Sequence, residues 1–297
     1  MNPFLLIDGT TIPSDPSSLL SSEFRGNLAG PENKPNLFAE FCVLDMMCAI
    51  SEARPEEYYI KRLILKGGHA VRSYVPLAAH RFSYDLDFNI DRDSGYKFRE
   101  IEELRTNLNE LADRRRSAVR AKVTRDESLF YWIELNYHDT INEAYGTRIP
   151  ELPKIEICKP CRTYLPTPRS RLPTLFDLNL VGITLPEMKQ LDINELLANK
   201  LYVIGVDDRQ RRHFDIFDSY RIYTNNQSAI NWSKVRSAFR SYLKEKPIKE
   251  FSKRAQYLIH KSEENDNTTR RMESATFDVF EFKGAADEVA GFYSKLG

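Results

Sequence analysis

The chain has 297 residues, 41% of them hydrophobic and 29% charged, with 43 Lys and Arg set against 43 Asp and Glu. That is enough apolar material for one large or two smaller packed domains, and a net charge of zero excludes a protein that coats nucleic acid through bulk positive charge. No basic segment followed by an apolar run opens the chain, and no apolar stretch reaches about 18 residues, so neither a secretory leader nor a membrane span is expected and the cytoplasm is the expected location.

Residues 1–35 are rich in Pro, Ser, Gly and Asn and predict a loop-rich lead-in. Residues 36–53 predict a buried helix. Residues 62–66 predict a short apolar strand that runs into Gly67-Gly68, with a short helix starting at His69. Residues 84–90 alternate: Leu86, Phe88 and Ile90 share one face, and Asp85, Asp87 and Asn89 share the other. A long charged helix follows over 96–122. Strands are expected at 129–138 and 153–158, separated by a loop with Gly146 and Pro150, and a further strand-like run near 175–184. From Pro186 onward the pattern is helical, with segments at about 186–205, 209–224, 231–243, 248–263 and 284–295. The expected fold is α+β: a mixed sheet with flanking helices over 36–185, then a helical domain over 186–297.

The four cysteines bound little. Cys158 and Cys161 form a CxxC pair, but Cys42 and Cys48 do not supply a second pair at zinc spacing. They are read as reduced thiols, with a redox or metal pair as the alternative.

The chemistry concentrates in one stretch, Lys66-Gly67-Gly68-His69 followed by Asp85-Leu86-Asp87-Phe88. Two carboxylates two residues apart on a strand project from the same face, and such a pair repels unless a cation lies between them. Magnesium takes carboxylates together with phosphate oxygens. Glycines let the backbone approach a phosphate closely. Either element alone has a plain structural reading, an ordinary turn or a solvated strand face. Together they point to a triphosphate and a divalent metal, with Asp85 and Asp87 on the metal and Gly67, Gly68 and His69 on the phosphates.

These residues resemble a known family. Leu65 to Arg72, with Arg81-Phe82-Ser83-Tyr84-Asp85-Leu86-Asp87-Phe88, is similar to the signature of the AbiEii/AbiGii-type nucleotidyltransferase toxins of the DNA polymerase β-like nucleotidyltransferase superfamily. Glu195 to Leu201 resembles the family's Glu-x-x-x-x-Lys-Leu helix, and Arg209 with Phe214-Asp215-Ile216-Phe217-Asp218 resembles its following Arg and Asp segment. The resemblance covers roughly residues 38–225. Two positions depart from it: His69 stands where a small hydroxyl residue is usual, and His213-Phe214 precedes Asp215 where an arginine is usual.

The resemblance implies a magnesium-dependent enzyme, with manganese as a possible substitute, that moves a nucleoside monophosphate from an NTP to an acceptor. It implies a toxin paired with an antitoxin in a bacterial toxin–antitoxin or abortive-infection system, acting on RNA at the tRNA 3′ end. It adds Lys66 and Ser83 to the nucleotide-binding set, Glu156 as a third metal carboxylate, and Lys200 and Asp215 as catalytic residues, with the helical domain completing the active site. Lys200 also lies beside an apolar stripe on its helix and so requires a partner, phosphate or Asp215. Asp218 is expected to be a packing or capping residue.

Two basic stretches, 114–125 and 234–254, are solvated helix faces or a groove for an RNA backbone. Phe239, Tyr242 and Trp232, interleaved with the second, have the spacing of a core stripe rather than a stacking platform. Small-molecule nucleotidylation of the aminoglycoside type, and a nucleotide-binding module without catalysis, are the alternatives.

Overall fold

The structure, a computed structural model, describes residues 16–51, 62–90, 97–114, 119–126, 130–149, 153–158, 162–181, 184–185, 187–206, 212–245, 247–263, 266–273, 275–278 and 280–296. Cys161, Pro186 and Arg209 lie outside them, as does most of the Arg114–Arg116 run. Contacts divide the chain into two compact units: 1–69 with 82–162 and 169–190, and 70–81 with 163–168 and 191–297.

The first unit opens with helices α1 (Ser22–Leu28) and α2 (Lys34–Ser51). Leu37, Phe38, Phe41, Val43, Leu44 and Met46 of α2 are all buried, so the helix is enclosed on most sides rather than amphipathic. Strand β1 (Leu63–Lys66) runs into the short helix α3 (Gly67–Val71), and β2 (Asp85–Ile90) follows. Helix α4 (Phe98–Arg114) buries Ile101, Leu104, Leu108 and Leu111 at helical spacing. Then come β3 (Ala121–Asp126), β4 (Phe130–Leu135), α5 (Tyr137–Tyr145), β5 (Lys154–Cys158), β6 (Arg169–Arg171) and β7 (Glu187–Lys189).

Five strands form one mixed sheet in the order β1-β2-β5-β4-β3, parallel between β2 and β5 and antiparallel elsewhere, while β6 and β7 form a separate ribbon. Alternation gives the sheet two unlike faces. Leu63, Leu65, Leu86, Phe88, Ile155, Ile157, Ile133 and Leu135 lie on the core face, each no more than 4% exposed. Lys66, Asp85, Asp87, Lys154, Glu156, Trp132 and Glu134 lie on the open face and are half-buried.

Several expectations change here: the loop-rich lead-in contains helix α1, and the helix expected from about 186 begins only at Ile193, Glu187–Lys189 being strand β7. The charged helix ends at Arg114 rather than 122, and Ala121–Asp126 is an edge strand. Asn109 of α4 fixes that strand's start: its amide donates to the Ala121 carbonyl at 3.1 Å and its side-chain oxygen accepts the Ala121 N–H at 2.7 Å. Residues 137–145, expected as strand end and loop, form α5, which buries Tyr137 and Ile141 one turn apart and closes on Gly146 in the left-handed conformation, φ 62°. The run near 175–184 holds a 3₁₀ turn (Leu178–Val181) and a single bridge from Phe176 to Leu20 rather than a strand.

The second unit is helical: α6 (Ile193–Val206), α7 (His213–Asn225), α8 (Trp232–Glu245), α9 (Phe251–Glu263), α10 (Asp266–Glu273) and α11 (Phe282–Phe292). Helix α6 is its centre, packed by α7, α8 and α9, and eleven of its fourteen residues are buried. Helix α10 was not expected from the sequence. Among the described residues no helix is long and apolar enough to cross a membrane.

Candidate active site

Strand register builds the acidic half of the site. Lys66 pairs with Asp87 across β1 and β2, and Asp87 pairs with Glu156 across β2 and β5. Lys66, Asp87 and Glu156 therefore form one row across the open face, with Trp132 of β4 next in line. Asp85 and Lys154 form the row beside it. The chain leaves β1 at Gly67, whose φ of 67° lies in the left-handed region. A Cβ on Gly67 would fall 2.0 Å from Asp87 Oδ2, so only glycine lets the bend lie against that carboxylate.

The charges on this face are incompletely balanced. Lys154 Nζ lies 3.2 Å from Asp85 Oδ2 and 4.4 Å from the centre of the Trp132 ring, whose plane stacks on Phe130 at 5.3 Å. Burial lowers the Lys154 ammonium, but Asp85 overrides it and holds the group above its ordinary value. Burial and the neighbouring Asp87 charge push Glu156 up to about 7, against the opposing pull of Lys66 and Lys154. In the two rows beside the glycine bend, three carboxylates, Asp85, Asp87 and Glu156, thus meet two ammonium groups, Lys66 and Lys154. Among the described residues no three His, Cys, Asp or Glu side chains already converge as a ready metal cage.

His69 is buried at 2% exposure. Its Nδ1–H donates to the Asp85 carbonyl at 3.0 Å, and its Nε2 is 4.0 Å from Glu40 Oε2. Glu40 Oε1 accepts the Ser83 backbone N–H at 2.8 Å. Glu40 of α2 therefore ties together the residue after the glycine pair and the loop that enters β2.

In the helical unit, Lys200 lies among Leu196, Leu197, Leu201 and Ile204 of α6, all fully buried, and is itself 5% exposed. Its ammonium meets Asp215 Oδ1 at 2.8 Å and Asp218 Oδ2 at 2.7 Å, both on α7. The partner that the sequence required is thus present twice. Arg81 grips Asp218 with two parallel bonds, Nε to Oδ1 at 3.0 Å and Nη2 to Oδ2 at 2.8 Å. Arg212 Nη1 donates to Asp215 Oδ2 at 2.8 Å, so the guanidinium absent from the position just before Asp215 arrives from one turn earlier.

The electrostatics follow from this saturation. Burial raises both carboxyls, but Lys200 and Arg212 hold Asp215 below the usual carboxylate range, and Arg81 and Lys200 hold Asp218 well below it. Burial lowers Lys200, and Asp215 and Asp218 more than restore it. His80, fully buried, donates from Nδ1 to the Arg81 carbonyl at 2.8 Å. Burial first and the Arg72 charge second bring it down to about 3, so it packs as a neutral ring.

Lys154, Arg81, Arg212 and Glu40 were not assigned roles from the sequence. Lys154 was legible, because it shares the Glu156 face two residues away. Arg81 and Arg212 had a weaker signal, their proximity to the Asp-x-Asp strand and to Asp215; Glu40 had none.

A mixed sheet that bears two aspartates at alternate positions beside a glycine bend, with a helical unit after it, is the architecture of a nucleotidyltransferase. A family model, the nucleotidyl transferase AbiEii toxin of type IV toxin–antitoxin systems, matches residues 51–289, and the chain belongs to that family. Among solved structures the chain is similar to MenT4, a nucleotidyltransferase toxin from Mycobacterium tuberculosis H37Rv, with a TM-score of 0.65 and 16% identity over 91% of this chain and 87% of that one. No curated protein matches the chain.

Proposed function

We propose that this toxin transfers a nucleoside monophosphate from an NTP to the 3′ end of RNA, tRNA foremost, with the open sheet face binding the triphosphate. The supporting observation is the row Lys66–Asp87–Glu156 against the Gly67 bend. A divalent ion, magnesium or manganese, fits this donor set: such ions are bound through one or two carboxylates plus substrate phosphates rather than by an all-protein cage. Asp85 and Asp87 would hold it, with Glu156 beside them. When bound it supplies charge neutralisation and Lewis acidity at the phosphate oxygens.

The chain's own groups do the rest. The backbone amides of Gly67 and Gly68 receive phosphate oxygens, and Lys66 adds a cation at the same edge. His69 and Ser83 support them through Glu40 rather than through an exposed side chain. The acceptor hydroxyl, giving up its proton to water, attacks the α-phosphorus; the new P–O bond forms as the bond from the α-phosphorus to the α,β-bridging oxygen breaks, and pyrophosphate leaves. Lys200 has three N–H donors, of which two are engaged by Asp215 and Asp218. Asp215, with both oxygens on cations and a lowered pKa, is a poor base, and its role here is to hold Lys200.

Incubation of the protein with each labelled NTP, magnesium, and either total tRNA or a panel of aminoglycosides tests this. Label on the 3′ end of RNA is expected. Label on the drug alone would overturn the RNA reading.

A further inference from the structure

Helices α4 and α8 are both exposed on one side, but they handle their charges differently. On α4 the charges are matched along the helix: Arg99 pairs with Glu103 and Arg105 with Glu102. On α8 four basic residues stand against a single acidic one, Glu245. Arg236, Arg240 and Lys244 recur every four residues, about 6 Å apart along the axis. Among the described residues none of the three has an acidic partner.

Ser233, Ser237 and Ser241 form a parallel row beside them, and the two rows line a shallow groove of about 420 Å³. Arg236 Nη2 reaches Ser233 Oγ at 3.4 Å, and Ser241 Oγ donates to the Ser237 carbonyl at 3.0 Å.

Neither row helps the fold. Like charges four apart weaken a helix, and serine is a poorer helix former than alanine. The opposite face supplies the anchoring: Val235, Ala238, Phe239 and Tyr242 are buried, and the Tyr242 hydroxyl donates to Glu195 of α6 at 3.1 Å. Tyr242 also packs edge-on against Tyr164 at 5.0 Å and stacks on Tyr202 at 5.4 Å. The aromatic residues of this helix are core, so the outer face offers charge and hydroxyls without a stacking ring. The stripe therefore lies on the outer side of a helix packed against α6, which carries Lys200, and in a chain of zero net charge its local excess is offset elsewhere.

We propose that this Ser/Arg stripe on α8 binds the phosphate backbone of the RNA acceptor. Evenly spaced cations flanked by hydroxyl donors match a ribbon of phosphates, and contacts of this kind position a nucleic acid without reading its bases. The inference rests on the RNA-acceptor reading above, and the two are tested separately.

Binding of labelled total tRNA is measured across a salt series for the wild type and for Arg236→Ala/Arg240→Ala/Lys244→Ala. A control, Lys253→Ala/Lys261→Ala/Lys283→Ala, removes equal charge from exposed positions off the stripe. The stripe variant should keep its helical circular dichroism and melting temperature. Its salt slope should fall by about two to three, and its affinity near physiological salt by about tenfold or more. The control should bind as the wild type does.

A stripe variant with the wild-type slope, equal losses in both variants, or a wild type that binds polyglutamate but not tRNA would each overturn the proposal. Label transfer is scored in parallel. Stripe-dependent binding without transfer removes the acceptor reading and supports the stripe; transfer that survives unchanged in a stripe variant that still binds tRNA removes the stripe and keeps the acceptor reading.

Discussion

The open sheet face and the α6–α7 cluster are both built from carboxylates and cations, but their balances are opposite. On the sheet, Asp85, Asp87 and Glu156 outnumber Lys66 and Lys154, and all five are half-buried. Between the helices, Lys200, Arg81 and Arg212 outnumber Asp215 and Asp218, and Asp218 is completely enclosed. The first group lacks a cation and its strain appears as a raised Glu156 pKa. The second has satisfied its carboxylates, and the cost of burying them is met by close, bidentate geometry. A face that lacks a cation is suited to recruit one with its substrate, whereas a saturated cluster is suited to hold a lysine still.

This contrast can be broken at either end. Asp87→Ala should reduce nucleotidyl transfer by about 10³-fold or more and abolish growth inhibition, with no loss of melting temperature, because it relieves repulsion on the sheet. Equal toxicity of variant and wild type would remove transfer chemistry as the cause of toxicity.

Asp218→Ala should instead act on stability. It leaves Arg81 and Lys200 charged and under-partnered in the interior, at about 3 kcal/mol or more, which corresponds to a fall of roughly 5 °C or more in a thermal melt. A change within about 2 °C would contradict the structural role given to that pair.

The smallest effect is at Glu156. Its folded-state pKa is raised from 4.5 to about 7 by burial and by Asp87. The folded state therefore holds the proton more tightly than the unfolded chain; the resulting stabilisation is complete below about 4.5 and is lost as pH rises through about 7. Glu156→Gln should accordingly raise the melting temperature at pH 8 by about 2–4 °C, discounted for partial exposure, and change it little at pH 5. Added magnesium should stabilise the wild type more than the variant.

How far the sequence carried these conclusions depended on whether the signal was local. The alternation at Asp85–Ile90 and at Lys154–Cys158, and the glycine pair after an apolar strand, are local patterns, and each element stands where its pattern put it. That the three meet in one row is a matter of strand register, which the sequence does not print. β3 was missed because an edge strand carries charges such as Lys122, and these read as a continuation of the helix before it. α5 was missed because only Tyr137 and Ile141 mark its buried side. Lys200's need for a partner was legible from its apolar neighbours, but the answer that Arg81, 137 positions from Asp218, shares that carboxylate with it was not.

The central claim is that the open sheet face accepts a triphosphate together with a divalent cation. Calorimetric titration of each NTP into the wild type and into Asp87→Asn, with and without magnesium, tests it most directly. The account predicts binding of at least one NTP that strengthens sharply with magnesium in the wild type and loses that dependence in the variant. Binding that is indifferent to magnesium and equal in the two proteins would contradict it.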